Sequence, residues 1–275
     1  MNKTDFRRDT KTLIYDLEVA PSLGYYYGFY DITPIEQIRG PILLSVAWKW
    51  LGEKNTHCLT LYDRATVDPY NDRLLVNELW NILDEANLVM GFNNKRFDDK
   101  MSNYFFVKHN MTPPSPYKPI DVLASARRHF KFNCNKLDFI GKELFGEGKT
   151  EQKYGDFWRP MLEGNKKEKK QASEGMKKYN IQDVLLTEKI YNKLLPWMNE
   201  HPNMALYAGR ECICPRCGND SEFVISKYRR TNMQINAIQY KCKKCGAYVT
   251  RRLTPEEREE LNNNGKLKST FRNMV

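Results

Sequence analysis

Two C-x-x-C pairs near the end of the chain, Cys214-Pro215-Arg216-Cys217 and Cys242-Lys243-Lys244-Cys245, constrain the fold more than any other feature. Each pair can turn two thiolates toward one cation. The 24 residues between them slightly exceed the spacing of about 15–20 common in four-cysteine zinc sites. Five of the seven cysteines lie between positions 212 and 245, with Cys58 and Cys134 apart. An odd total and paired C-x-x-C units argue for a metal site in a reducing compartment, not a disulfide framework. We therefore expect one structural Zn²⁺ held by Cys214, Cys217, Cys242 and Cys245, with no open position for chemistry. Cys212 is a spare thiol that could replace Cys214.

Charge follows the same division. The net +10 places +7 in the last 75 residues and only +3 in the first 200. A basic excess confined to one segment points to an anionic partner, most often nucleic acid. Pro196 and Pro202 mark a linker, so the expected organisation is a large domain over 1–200, a cysteine-rich domain over 201–253, and a short helix with a basic tail over 254–275. At 275 residues and 41% hydrophobic the chain can bury a real core. Its apolar runs fall far short of a membrane span, and the polar start lacks a signal-peptide core, so a cytoplasmic protein is expected.

The apolar run over residues 12–15 ends in Asp16-Leu17-Glu18 and reads as a buried strand with acids at its end. Further β-prone segments over 24–30 and 42–51 predict three strands in an antiparallel meander before any helix. Leu75, Leu79, Ile82 and Leu83 recur at helical spacing over 72–86; a strand over 87–91 and a second helix over 97–109 follow. Pro113, Pro114, Pro116 and Pro119 predict a loop. Helices are expected over 121–130, over 136–145 with Gly146 as its stop, and over about 166–195, with 147–165 irregular. Beyond the linker, strands are expected over 222–228 and 235–240. Thr254-Pro255-Glu256-Glu257 then opens a capped helix that stops at Gly265.

Three acidic elements stand out in the first domain. Asp16 and Glu18, two apart on a strand, share a face, and such a pair is costly without a cation between them. Asn93, Phe97 and Asp98 span a turn into a helix, where an acid also suits the positive helix end. Tyr179 and Asp183 share a helix face with Leu186 and Ile190, which turns a carboxylate toward the core. Together these residues resemble the DEDD group of 3′-to-5′ exonucleases over residues 10–195. Asp16 and Glu18 match its first motif, Asn93 with Phe97-Asp98 its second, and Tyr179 with Asp183 its third. Position 178 is Lys178 where the histidine form has His, so the chain is similar to the tyrosine subclass, as in the proofreading domains of family A and B DNA polymerases. Asp99 neighbours the motif acid, and Asp121 reads equally as an accessory acid or a helix cap.

The resemblance implies an α/β fold, a ribonuclease H-like mixed sheet flanked by helices, and the cysteine-rich segment resembles a small zinc-ribbon β domain. It also implies that Asp16, Glu18, Asp98 and Asp183 hold two Mg²⁺ or Mn²⁺ ions and that Tyr179 orients the attacking water. A phenol of ordinary pKa near 10 is a poor base at neutral pH, so positioning is the role expected of it. The implied product is a nucleoside 5′-monophosphate released from single-stranded nucleic acid, DNA before RNA. Asn93, Phe97, Arg229, Arg230, Lys243 and Lys244 are the expected substrate contacts, with Phe92, Tyr104, Lys149 and the lysines of 166–170 as further candidates. The ribbon could also dock a replication or repair protein. Two rival readings are a nucleic-acid-binding adaptor whose nuclease domain is inactive and a structure-specific endonuclease on the same fold.

Overall fold

The computed structural model describes residues 10–28, 33–64, 68–146, 155–208, 213–231, 234–265 and 267. Lys149, Cys212 and the side chain of Arg230 lie outside what is described. The chain divides into two compact units, Lys11–Ile190 and a second that begins at Tyr191. No helix among the described residues is long and apolar enough to cross a membrane.

Five strands precede the first helix: β1 (Thr12–Ala20), the short β2 (Leu23–Tyr25) and β3 (Glu36–Arg39), β4 (Ile42–Trp50) and β5 (His57–Thr60). There follow α1 (Arg73–Asp84), β6 (Leu88–Gly91), α2 (Asp98–Lys108), β7 (Lys118–Asp121), α3 (Val122–His129), α4 (Leu137–Phe145), α5 (Gly155–Glu163) and α6 (Lys166–Leu194). The main sheet has the order β5-β4-β1-β6-β7, with β4 antiparallel and β6 parallel to β1, and β7 parallel to β6. The carboxyl ends of β1, β6 and β7 therefore lie along one edge, where ligands of parallel sheets usually bind.

The two-residue period of β1 assigns its side chains to two cores. Leu13, Tyr15 and Leu17 pack with Leu75, Leu79 and Leu83 of α1 and Phe105 and Phe106 of α2. Ala20, from the opposite set, packs with Ile42, Leu44, Met161 of α5 and Met176 of α6. Helices thus cover both faces, as in a mixed ribonuclease H-like sheet. A bulge sets Glu18 opposite Ser45 and Val19 opposite Leu43, so Leu44 is the extra residue and the two-core assignment survives past it.

Asp72 ties the α1/α2 layer to the sheet. It is 1% exposed, and its carboxylate accepts from Leu43 N at 2.9 Å and lies 3.2 Å from Lys108 Nζ and 2.6 Å from His109 Nε2. A buried carboxylate needs that many partners.

Four sequence expectations are corrected. The proline cluster is not loop throughout: Pro119 sits in β7, an edge strand, where a missing N–H costs no ladder bond on the solvent side. Residues 155–163 form α5 with Pro160 inside it, held by Phe157, Met161 and Leu162 in the second core. The second predicted strand pairs off with β3 as a separate two-stranded sheet, and β5 was not anticipated.

The second unit contains a single 3₁₀ turn (Leu195–Trp197), α7 (Met204–Ala208), a three-stranded antiparallel sheet of β8 (Phe223–Thr231), β9 (Gln234–Cys242) and β10 (Tyr248–Arg252), and α8 (Pro255–Asn264). The strand β10 is an addition to the two expected. At α8 the expected local chemistry holds: Thr254 and Glu257 form a reciprocal capping box, Pro255 opens the helix and Gly265 closes it in the left-handed region. Leu261 and Leu267 pack with Ile238, Tyr240 and Leu253 into the small core of this unit.

Candidate active site

Because Asp16 and Glu18 belong to the same side of β1 as Ala20, they face the layer that contains α6. There they meet Asp183: one carboxylate oxygen from each of the three lies within 4.8 Å of the others. Asp183 is 3% exposed and the other two are half-buried. Three acids this close repel one another unless a cation offsets them, and an all-oxygen donor set suits a hard divalent ion. The residues present thus fit such an ion.

The helix that brings Asp183 is anchored along one stripe. Ser173, Asn180 and Glu188 recur at seven to eight residues, close to two helical turns, and each meets the sheet. Ser173 Oγ lies 2.7 Å from Thr60 Oγ1, Ser45 Oγ donates to Asn180 Oδ1 at 2.7 Å, and Lys49 Nζ meets Glu188 at 2.5 Å. Asn180 is fully buried and also donates from Nδ2 to Asp16 Oδ2 at 2.5 Å. The relay Ser45–Asn180–Asp16 thus ties one acid of the cluster to β4 and α6. Sequence reasoning passed over both Ser45 and Asn180. The available signal was Asn180 three residues before Asp183, a second polar residue on an inward helix face. Asn180→Ala should lower turnover about 10–100-fold, as loss of a group that orients a metal ligand does. It should also destabilise the fold by about 1–3 kcal/mol, since Ser45 loses its acceptor. Steady-state kinetics and thermal melting check the pair of effects.

Asp98 takes a different place. It starts α2, which packs on the other face of β1, and it is not among the three clustered acids. Its Oδ1 accepts instead from Leu17 N at 3.1 Å, between the two acids of β1. Burial pushes its pKa up to about 7, against the pull of that N–H. Asp99 also points into this layer, accepting from Tyr15 Oη at 2.6 Å, and burial raises both of these groups. The motif acid and its neighbour are thus separated by partner: backbone for Asp98, a buried phenol for Asp99.

Tyr179 is half-buried beside the second core, its ring 6.3 Å from that of Phe157. Phe97 is 44% and Tyr104 41% exposed, so neither is a core residue by default. Asn93 adopts φ 74°, which asparagine tolerates, and its N–H donates to Asp121 Oδ1 at 3.2 Å. Asp121 also caps α3 through Ala124 N at 3.0 Å. Asn93, Arg96, Asp121, Arg127 and Arg128 line a hollow of about 320 Å³.

In the second unit the sulfurs of Cys214, Cys217, Cys242 and Cys245 lie within 4.8 Å of one another. Cys214 to Cys245 is 3.6 Å and Cys217 to Cys242 is 3.8 Å. A tetrahedral ion with bonds of about 2.3 Å requires separations near 3.8 Å, so the four thiols fit one. Both turns close alike. Gly218 N bonds Cys214 O and Gly246 N bonds Cys242 O, each at 2.9 Å, with φ of 70° and 81° that disfavour a side chain. Hydrogen bonds from Cys217 and Cys245 pull the Cys214 thiol well below its ordinary range.

A family model described as the RNase H superfamily matches residues 29–195. The chain belongs to the RNase H superfamily. The match begins after β1, so the placement of Asp16 and Glu18 in this superfamily member rests on the geometry above. Among solved structures, the family B DNA polymerase from the hyperthermophilic archaeon Pyrobaculum calidifontis is similar at 14% identity and a TM-score of 0.50. The similarity covers 68% of this chain and 25% of the polymerase, and at that identity it shows a shared fold. No curated protein matches the chain.

Proposed function

We propose that this RNase H superfamily member is a metal-dependent 3′-to-5′ exonuclease of the tyrosine DEDD group, acting on single-stranded nucleic acid with DNA preferred. The observation that carries the proposal is the convergence of Asp16, Glu18 and Asp183 beside Tyr179. These residues are distant in sequence, and two of the three acids belong to one motif and the third to another. Asp98, held on the Leu17 N–H between the two acids of β1, completes the proposed set.

Divalent ions bound there supply the positive charge that in-line displacement at phosphorus needs. The chain's own residues do the rest. Asp16, Glu18 and Asp183 hold the cations, with Asn180 fixing the orientation of Asp16. The Tyr179 hydroxyl positions the attacking water by hydrogen bonding, and Phe97 offers an exposed ring to the terminal base. Arg96, Arg127 and Arg128 offer guanidinium groups to backbone phosphates along the same sheet edge. The four cysteines hold a structural Zn²⁺ in a ribbon over 201–253 that closes the sheet of the second unit.

The test uses end-labelled and circular single strands of DNA and RNA with Mn²⁺ or Mg²⁺. Mononucleotides should appear from the 3′ end. Cleavage of circles would make the chain an endonuclease, and binding without hydrolysis would make it an adaptor.

A further inference from the structure

The sheet of the second unit has two unlike faces, and its register shows which side chains fall on each. In β9–β10 the pairs are Tyr248 with Lys241, Thr250 with Gln239 and Arg252 with Ala237; in β8–β9 they are Val224 with Lys241, Lys227 with Gln239 and Arg229 with Ala237. Paired residues point to the same side of a sheet. The alternate set, Phe223, Tyr228, Ile238 and Tyr240, packs with Leu253 and Leu261 of the α8 region. On that covered side Arg251 is neutralised by Glu257 at 2.7 Å.

On the other face no such cluster forms among the described residues of this unit. That face presents Lys227, Arg229, Lys241 and Arg252, all exposed, and no residue of the three strands on this side is acidic. Among the described residues it carries two polar bonds, Arg229 Nη2 to Gln239 Oε1 and Gln239 Nε2 to Thr250 Oγ1, both 3.3 Å. These hold Gln239 flat in the middle of the face. Tyr248, 55% exposed, lies under Lys241 Nζ at 5.8 Å from the ring centre. Just beyond the strands, the Lys243 backbone N–H donates to the Glu222 carbonyl at 2.7 Å.

We propose that this open face, formed by Lys227, Arg229, Lys241, Tyr248 and Arg252, is a docking surface for a single strand of nucleic acid. Four like charges on one side of a short sheet repel unless a polyanion lies across them, and a flat row of cations with an aromatic ring fits a phosphate backbone with stackable bases. The knuckle lysines Lys243 and Lys244 lie in the turn beyond the strands, off this face, and contribute less. The inference rests on the reading that nucleic acid is the substrate, but it is tested by binding and not by hydrolysis.

The experiment titrates the full-length, zinc-loaded protein into labelled oligo-dT and oligo-U in EDTA-free buffer with Ca²⁺ in place of Mg²⁺, over a series of salt concentrations. Wild type should bind with a salt slope that the quadruple variant Lys227→Ala/Arg229→Ala/Lys241→Ala/Arg252→Ala lowers by about 2–3, given about 0.7 per phosphate contact for single strands. Tyr248→Ala should weaken binding about tenfold with an unchanged slope. Lys243→Ala/Lys244→Ala should leave the slope within about one unit of wild type, and retained zinc shows that each variant is folded. The two oligonucleotides separate a ribose requirement from backbone recognition alone. A quadruple variant with the wild-type slope, or a wild type that binds neither strand, overturns the inference and leaves an acidic protein as the occupant. Loss of binding in the variant with no hydrolysis by wild type would keep the docking surface and overturn the exonuclease instead.

Discussion

Asp16→Ala and Asp183→Asn should each reduce hydrolysis by on the order of 10³-fold or more without loss of the fold. Both remove one member of a three-acid cluster whose oxygens lie within 4.8 Å, and two remaining acids hold a divalent ion poorly. Stability should separate the two. In the absence of metal the wild-type cluster is a repulsive group, with Asp183 buried, so Asp183→Asn should leave the melting temperature unchanged or raised, whereas Asp16→Ala also takes the acceptor from the buried Asn180 Nδ2 and should lower it. Added Mn²⁺ reverses the order of wild type and Asp183→Asn: at a hundred times its Kd it should stabilise wild type by about 2.7 kcal/mol, a rise of roughly 5–10 °C for a domain of this size, and should not stabilise the variants. Calorimetry with and without metal, beside single-turnover assays, reads both halves. An active Asp183→Asn protein would remove Asp183 from the metal site, and an equal Mn²⁺ shift in wild type and variant would place the ion elsewhere.

Cys242→Ser should unfold the second unit. Under its sheet the buried cluster among the described residues is Ile238, Tyr240, Leu253, Leu261 and Leu267, too little to hold three strands alone. A structural zinc ion is worth about 10–16 kcal/mol of apparent binding energy at neutral pH in small units of this kind, far more than such a core supplies. The expected outcome is about one zinc per wild-type chain and none in the variant, with hydrogen-exchange protection lost over 213–265 and kept over 11–190. Cys58→Ser, outside the cluster, is the control. A variant that keeps its protection over 213–265 would defeat the structural role of the metal.

How much was legible follows from how local each signal is. The α8 cap was readable because Thr254, Pro255 and Glu257 make their bonds within four residues. The helix α3 was readable for the same reason, Asp121 capping it directly. The helix α5 was not: its composition is ordinary, Pro160 argues against it, and the second core, built by residues far away, holds it in place. Pro119 misled because proline reads as a breaker when the edge position of β7 is unknown. Ser45 and Asn180 are common polar residues whose importance exists only once α6 lies against β4.

The same distinction runs through the site itself. Strand period alone determined that Asp16 and Glu18 share a face, helix period that Tyr179 and Asp183 do, and cysteine spacing that two turns can present four thiols to one site. These are short-range consequences of backbone geometry and survive any packing. Which face of the sheet each helix covers has no local code, because it depends on the apolar stripes of β1, α1, α2, α5 and α6 finding one another across the chain. That choice put Asp183 among the acids of β1 and Asp98 on the Leu17 amide between them, and in the second unit it set Leu261 of α8 against one face of the three-stranded sheet.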